Sequence, residues 1–115
     1  MQSDQFFRAL CNPTRLRILV LLTSEGELCV CELTHAIGAS QPHISRHLAQ
    51  LRELELVTDR RDGLWIHYRI STALPDWVTA VLEHTAAGVV GQAPFASDEQ
   101  SLAAMANRPA TSRCA

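Results

Sequence analysis

The sequence predicts a mainly α-helical domain with a β-hairpin wing, the winged helix-turn-helix class, and two observations support this fold. Two short helical segments meet at Gly38, and the second of them is polar along one face. An Asp62-Gly63 pair then separates two segments with β-strand patterns, which is typical of a tight hairpin. With helices predicted before and after these segments, the expected order is helix, helix, helix-turn-helix, β-wing and helix.

The first two helices are predicted on either side of Asn12-Pro13. Residues 5–11 form a short apolar helix, and the second helix is expected from about residue 14 to residue 23. Asn12 is a good N-cap and Pro13 fits the first helical position, so this pair ends one helix and begins the next. The buried face of the second helix is expected to contain four apolar side chains, Leu16, Leu19, Val20 and Leu22.

The helix-turn-helix is predicted between residues 28 and 50. Its first segment, residues 28–37, ends at Gly38, a residue type that is favoured just after the last turn of a helix. Ser40 then caps the second helix, which tolerates Pro42 in its first turn. The inward side of this second helix is apolar, with Ile44, Leu48 and Leu51.

The C-terminal part of the chain is predicted to contain one more helix and a tail. The last helix lies near residues 74–85, and from Ala86 onward the composition shifts to Ala, Gly, Pro, Ser and Thr. We therefore expect a folded domain over residues 1–85 and a flexible Ala-rich tail over residues 86–115, with at most a nascent helix near residues 99–106. The apolar faces of the first and last helices lack an obvious partner in so small a core, which predicts a homodimer formed through them.

Composition and charge exclude several classes of protein. Ten basic residues against twelve acidic ones give a net charge of −2, which excludes a histone-like polycation but not a local DNA-binding surface. The longest apolar run, Ile18 to Leu22, is too short to span a bilayer. The first four residues lack the features of a signal peptide. We expect a soluble, cytoplasmic protein without a membrane partner.

The polar face of the second helix of the helix-turn-helix predicts contacts with double-stranded DNA. A recognition helix reads base edges from its first turns, where Gln41 can pair with adenine and Arg46 with guanine or a phosphate. His47 is adjacent to Leu48 and is the candidate best explained as a packed residue. The candidate DNA contacts are Ser40, Gln41, His43, Ser45, Arg46, His47 and Gln50 on the helix, and Arg60 and Arg61 beside the wing turn.

Two closely spaced thiols, Cys29 and Cys31, stand at the beginning of the helix-turn-helix. In a reducing compartment such a pair more often indicates thiolate chemistry than a structural disulfide, and thiolates select soft metals and metalloids. A spacing of two places the side chains on opposite sides of a regular α-helix. Both thiols can bind one atom only if this turn is distorted or non-helical, so we expect binding to deform the turn and displace residues 41–50.

Three motifs occur together and in register in this chain. They are Asn12 to Leu19, Glu27 to Leu33 and Ser40 to Leu48. With the wing at residues 63–69, they resemble the ArsR/SmtB family of metal-sensing repressors over about residues 5–82, and the Cys-Val-Cys box resembles the arsenite-responsive branch. The resemblance implies a homodimeric repressor that binds operator DNA without a cofactor and releases it when Cys29 and Cys31 bind As(III) or Sb(III).

The chain departs from this family pattern at Thr34, where arsenite sensors of this type often have a third cysteine. A hydroxyl is a poor arsenic ligand, so the third donor stays open. Cys11, expected to be packed, and Cys114, expected to be an unused tail thiol, are candidates, as is a thiol from outside the chain. A methylated arsenical, which has only two open positions, would need no third donor.

One alternative keeps the DNA-binding dimer and makes the thiol pair a redox or persulfide switch. Low-pKa thiolates near the start of a helix would be reactive enough for this role. An enzyme is not expected, because a thiol oxidoreductase would need a positioned base and typically a Cys-x-x-Cys motif in a βαβ context, which the sequence lacks.

Overall fold

The computed structural model describes residues 1–106 and 108, and the predicted order from the first helix through the wing to the last predicted helix is confirmed. No helix in this part of the chain is long and apolar enough to cross a bilayer. The helices are α1 (Ser3–Leu10), α2 (Pro13–Glu25), α3 (Val30–Ile37), α4 (Gln41–Glu53), α5 (Asp76–Val89) and α6 (Phe95–Ala103), and the strands are β1 (Glu27–Cys29), β2 (Val57–Asp62) and β3 (Trp65–Ile70).

The ends of the central helices follow from local hydrogen bonding. The Asn12 Oδ1 accepts two backbone N–H groups of the first turn of α2, at 2.9 and 3.0 Å, and thereby caps that helix. Gly38 ends α3 with a φ of 77°, a left-handed conformation that costs glycine little. The Ser40 Oγ then accepts the His43 backbone N–H at 3.3 Å, which begins α4.

The sheet contains a strand that the sequence pattern does not predict. Its order is β1-β3-β2, with both pairs antiparallel, and Cys29 of β1 lies opposite His67 of β3. Residues 28 and 29 were expected at the start of a helix. They are instead extended because the outer edge of β3 offers unpaired backbone groups that β1 can bond. Three residues are too few to produce a recognisable alternation of polar and apolar side chains.

The hydrophobic core lies between α2, the helix-turn-helix and the inner face of the sheet. In α4 the three residues predicted to face inward are all fully buried, and in α2 Leu16 is only partly buried while the other three are buried. This core fixes the orientation of α4, so the opposite face of the helix points to solvent. Its largest fully buried side chains include Ile18, Leu19, Leu21, Leu22, Leu28, Leu33, Ile44, Leu48, Leu51 and Leu56.

The prediction of a flexible tail from residue 86 is wrong for much of that segment. Helix α5 continues to Val89, and α6 packs against α2 and α3. Leu102 is 1% exposed, and Asp98 accepts two hydrogen bonds from the guanidinium of Arg17, at 2.9 and 2.7 Å. A buried leucine and an ion pair with a buried carboxylate thus attach a helix whose composition resembles that of a linker. Cys114 lies outside the described residues.

Aromatic residues join the first helix to the start of α5. Phe6 is fully buried and contacts Trp77 edge to face, with ring centroids 5.4 Å apart. Phe7 and Trp77 nevertheless remain 47% and 41% exposed, and their ring centroids are 6.3 Å apart. The two helices therefore present a shared apolar surface, which we call the aromatic patch (Phe7 and Trp77).

Candidate DNA interface and thiol site

The solvent-facing side of α4 carries most of the predicted DNA contacts. Gln41 and Arg46 are exposed, and His43 and Ser45 are half-buried. The Gln41 Nε2 donates to the Ser45 Oγ at 3.4 Å, and the Arg46 Nη2 lies 3.0 Å from the His43 Nδ1. Because Ser40 is also exposed at the N-cap, the first two turns of the helix present a continuous row of hydrogen-bonding groups.

His47 does not belong to this row. Its side chain is buried at 7% exposure, packs edge-on against His43 and places its Nδ1 3.2 Å from the Gln50 Oε1. Burial is the main reason why the pKa of His47 lies below its usual value. The prediction of His47 as a DNA contact is therefore corrected: it is a packing residue, as its neighbour Leu48 indicated.

Hydrogen bonds between helices fix the position of α4. The Arg15 Nη1 of α2 donates to the Gln50 Oε1 at 3.0 Å, while its Nε donates to the Ala9 carbonyl at 3.0 Å. The Thr14 Oγ1 lies 3.2 Å from the His43 Nε2. Gln50 is exposed, but its Oε1 is bonded within the protein, so its side chain helps to hold α4 against α2.

The two wing arginines are placed differently. The Arg60 guanidinium donates hydrogen bonds to both carboxylate oxygens of Glu27, at 2.8 to 3.1 Å. This bidentate pair partly balances the positive charge of Arg60. This pairing lowers the pKa of Glu27. The Arg61 side chain is exposed, and its guanidinium makes no hydrogen bond or ion pair within residues 1–106 and 108. Of the two, Arg61 has the guanidinium that is free to meet a phosphate.

The thiol pair lies where β1 ends and α3 begins. Cys29 is the N-cap of α3 with φ −86° and ψ 166°, so it is extended rather than helical, and Cys31 is in the first helical turn. Cys29 is 1% exposed and Cys31 is half-buried. The non-helical turn that the spacing requires is therefore already present in the fold.

A buried carboxylate supports this turn. Glu32 is fully buried, and its Oε1 accepts the Cys29 backbone N–H at 2.9 Å. In return, the Cys29 side chain accepts the Glu32 backbone N–H, which completes a reciprocal capping box. The other carboxylate oxygen of Glu32 accepts a hydrogen bond from the Nε of Arg108 at 2.8 Å. The sequence motif contained Glu32, but only the distant Arg108 reveals how its charge is balanced.

Burial strongly raises the pKa of the Cys29 thiol, and the neighbouring Cys31 thiol raises it further. Cys29 is therefore a protonated thiol at neutral pH in the free protein. The redox alternative needs a low-pKa thiolate near the helix start, and burial of the Cys29 sulfur acts against that, because a helix start lowers a thiol pKa effectively only where the sulfur is not desolvated. Binding of a soft ligand must displace this proton.

Both thiols line an open groove of about 520 Å³. One wall contains the start of α3, including Thr34 and the exposed His35. The other wall is formed by Gln41 of α4 and by the wing residues Leu64, Trp65 and Ile66. Parts of both elements that carry the predicted DNA contacts thus line the same space as the thiols, which the sequence pattern did not indicate because the wing is more than thirty residues away.

The other predicted donors do not assemble a metal site with the thiol pair. Within residues 1–106 and 108, no group of three or more His, Cys, Asp or Glu residues is arranged to hold a metal ion. Cys11, expected to be packed, is exposed at the end of α1 and does not line the groove. The soft donors that meet in the described structure are therefore Cys29 and Cys31.

Comparison with known proteins places these features in a family. Residues 12–59 match the model of the bacterial regulatory protein, arsR family. The arsenic resistance transcriptional regulator ArsR1 of Pseudomonas putida is 50% identical over 105 residues, which cover 90% of this chain and 79% of that protein. The arsenical resistance operon repressor of Escherichia coli is 51% identical over 79 residues, 69% of this chain and 68% of that protein.

Solved structures with the same fold agree with this placement. The AntR antimony-specific transcriptional repressor matches with a TM-score of 0.62 and 34% identity, over 73% of this chain and 73% of that one. A homodimeric winged helix-turn-helix DNA-binding domain from Mycobacterium bovis matches with a TM-score of 0.62 and 30% identity, over 75% and 76% of the two chains. The winged helix-turn-helix fold predicted from the sequence is thereby confirmed.

Proposed function

The chain belongs to the ArsR family of bacterial DNA-binding transcriptional regulators, and from this premise we propose that it represses an operator until trivalent arsenic or antimony binds Cys29 and Cys31. Members of this family regulate transcription rather than catalyse a reaction. The observation that carries the proposal is the groove in which both thiols face Gln41 and the wing. A ligand held by the thiols would occupy space next to both DNA-reading elements.

Operator binding is assigned to α4 and the wing. Six of the candidate residues are accessible from solvent there, and Arg46 and Arg61 supply positive charge. His47 is left out because it is buried; the exposed Gln50 and Arg60 would first have to leave Arg15 and Glu27, partners on other elements of the fold. The accessible set is Ser40, Gln41, His43, Ser45, Arg46 and Arg61.

The repressor acts as a homodimer through α1 and α5. The support is the aromatic patch, whose two large side chains stay more than one third exposed in the single chain, together with the homodimeric state of the M. bovis domain. Dimers of this fold place two recognition helices in successive turns of the major groove. The DNA-binding face of one domain has little net positive charge, so two such faces in a dimer are needed for tight operator binding. As a regulator bound to its operator DNA, the protein acts in the cytoplasm.

Induction couples the thiols to the DNA-binding face. The capping box joins Cys29 to Glu32, and replacement of the Cys29 proton by a metalloid alters the sulfur that accepts the Glu32 N–H. The metalloid also meets Gln41 and the wing tip across the groove. Typical couplings of this kind lower DNA affinity about 5- to 150-fold. No prior unwinding of a regular helix is needed, because Cys29 is already extended.

The redox or persulfide alternative is disfavoured by the environment of Cys29. Oxidation begins from an accessible thiolate, whereas Cys29 is 1% exposed and its pKa is raised. The half-buried Cys31 is the thiol from which such chemistry would have to start.

Fluorescence anisotropy of an operator-bound sample tests the proposed function. Arsenite and antimonite should release the DNA, and Cys29→Ser and Cys31→Ser variants should bind DNA normally but fail to respond. Cys11→Ser, at an exposed position outside the groove, is the matched control and should respond like the wild type. Cys114→Ser tests the thiol outside the described residues. Release by hydrogen peroxide alone, or loss of DNA binding by either box variant, would overturn the proposal.

A further inference from the structure

Thr34 has an unpaired hydroxyl beside the thiol pair. Its Oγ1 is buried and is the one buried side-chain nitrogen or oxygen atom that lacks a hydrogen-bond partner in the part of the chain that the structure describes. Thr34 also lines the groove with Cys29 and Cys31. A buried polar atom without a partner is costly, and a threonine in a helix usually bonds the carbonyl one turn before it. Thr34, a residue of the groove that both thiols line, therefore carries an unused hydrogen-bonding group.

The chemistry of arsenite supplies such an atom. Arsenous acid has three hydroxyl groups, and two thiols replace two of them: two As–O bonds break, two As–S bonds form, and each thiol proton leaves with a hydroxyl as water. The oxidation state of arsenic does not change. One hydroxyl then stays on arsenic, because Cys29 and Cys31 are the thiols that line the groove within residues 1–106 and 108, and the Thr34 oxygen is too hard a donor to replace a thiolate.

We propose that this chain binds arsenite as a bis-thiolate that retains one hydroxyl, and that Thr34 holds this hydroxyl by donating a hydrogen bond to its oxygen. The inference rests on the proposed function and deepens it. Thr34 is a positioning and specificity residue, not an arsenic ligand. A third sulfur is unnecessary in this arrangement, because the hydroxyl on arsenic and the Thr34 hydroxyl satisfy each other by one hydrogen bond.

The same geometry determines which ligands depend on Thr34. An arsenical with a carbon substituent in the third position, such as methylarsenite, offers no hydroxyl once both thiols are bound. Its methyl group would contact the apolar part of the groove, formed by Leu64, Trp65 and Ile66. Loss of the Thr34 hydroxyl should therefore weaken the binding of arsenite and leave that of methylarsenite unchanged.

Two substitutions at this position separate the hydroxyl from the shape of the side chain. Thr34→Val keeps the shape and removes the hydroxyl, and Thr34→Ser keeps the hydroxyl. Direct titration in the absence of DNA should show arsenite bound about 3- to 10-fold more weakly by Thr34→Val, the range expected for one hydrogen bond. Thr34→Ser should stay near the wild type, and all three proteins should bind methylarsenite and operator DNA equally.

Arsenic X-ray absorption of the wild-type complex, prepared with a phosphine reductant instead of a thiol, provides a second measurement. Two sulfurs and one oxygen around arsenic are expected. Three sulfurs would overturn the inference, as would a Thr34→Val variant that binds arsenite normally or loses both arsenicals equally. These failures are distinct from failure of the proposed function, which would appear as wild-type protein that keeps its operator in the presence of arsenite.

Discussion

The Nε of Arg108 donates a hydrogen bond to the Oε2 of the fully buried Glu32 at 2.8 Å, and so connects the C-terminal end of the described chain to the thiol turn. The other oxygen of the same carboxylate holds the backbone of Cys29. A buried carboxylate needs such partners, because the cost of removing its charge from water is not recovered otherwise. The segment after α6 thus contributes directly to the geometry of the N-cap of α3.

The first prediction concerns this contact. Arg108→Met removes the charge and keeps most of the apolar stem, so one buried oxygen of Glu32 loses its partner. The free energy of unfolding, measured by urea titration, should fall by about 1–3 kcal/mol. The matched control is Arg8→Met, because the side chain of Arg8 is 75% exposed and its contact with Asp4 is long, at 3.8 Å. A surface substitution of this kind should change stability by less than about 0.5 kcal/mol. Equal stability of the two variants would contradict the role of Arg108.

The elements that could be predicted from the sequence are those with strong local patterns. The Asn12 cap, the left-handed Gly38 and the hairpin around Asp62-Gly63 occur as expected, because short-range hydrogen bonding and backbone freedom decide them. The short β1 and the helix α6 depend on partners far away in the sequence. One pairs with the free edge of β3, and the other is held by the Arg17–Asp98 pair, across eighty-one positions of the chain.

The candidate site also combines features that the sequence predicts with features that depend on distant contacts. Cys29 and Cys31 were identified from their spacing and residue type, and the helical period correctly placed Gln41 and Arg46 on the outer face of α4. The burial of Cys29, the orphaned Thr34 hydroxyl and the opposing wing could not be predicted, because each arises from packing between distant segments. The sequence pattern therefore predicts which residues to consider, whereas their burial and their neighbours become visible only in the folded chain.

The second prediction is a dependence of stability on pH that arises from His47. Its folded pKa lies below the usual 6.5 because burial disfavours the imidazolium. Below pH 6.5 the unfolded chain binds a proton that the folded chain resists. The contribution of His47 to the free energy of unfolding is therefore fully present above pH 6.5 and is lost as the pH falls towards its folded pKa. The free energy of unfolding changes with pH there by at most about 1.4 kcal/mol per pH unit.

A comparison of variants isolates this effect. The pKa of Glu99 is raised to about 7 by burial and by the neighbouring Glu25, so its stabilising contribution is lost as the pH rises and acts in the opposite direction. We therefore compare the free energies of unfolding of the wild type and His47→Asn, measured by urea titration from pH 5 to pH 8. Glu99 contributes equally to both proteins, so its effect cancels in their difference. The exposed His35→Asn is the control. A wild-type profile parallel to that of His47→Asn would contradict the prediction.

The third prediction tests the aromatic patch as the dimer interface. Phe7→Ala and Trp77→Ala should each weaken self-association measured by sedimentation velocity, by about 30-fold if the aromatic side chain is an interface anchor worth 2 kcal/mol. Leu64→Ala at the wing tip, where the side chain is 96% exposed, should leave association unchanged. Phe7→Ala is the more informative variant, since Trp77 also packs on the buried Phe6. A wild-type protein that sediments as a monomer at micromolar concentration would refute the homodimer.

The fourth prediction assigns Arg46 to DNA. Its exposed guanidinium lies beside His43 on the outer face of α4, so Arg46→Ala should weaken operator binding by about 1–3 kcal/mol while arsenite binding stays unchanged. Arg8→Ala on α1 is the matched control for the loss of one positive charge. The salt dependence then distinguishes the two roles of the arginine. A phosphate contact lowers the slope of log affinity against log salt by about one and weakens binding to all sequences, whereas a guanine contact weakens the operator selectively. Unchanged affinity for every sequence would remove Arg46 from the interface and move the charge-based contacts to Arg61 and the wing.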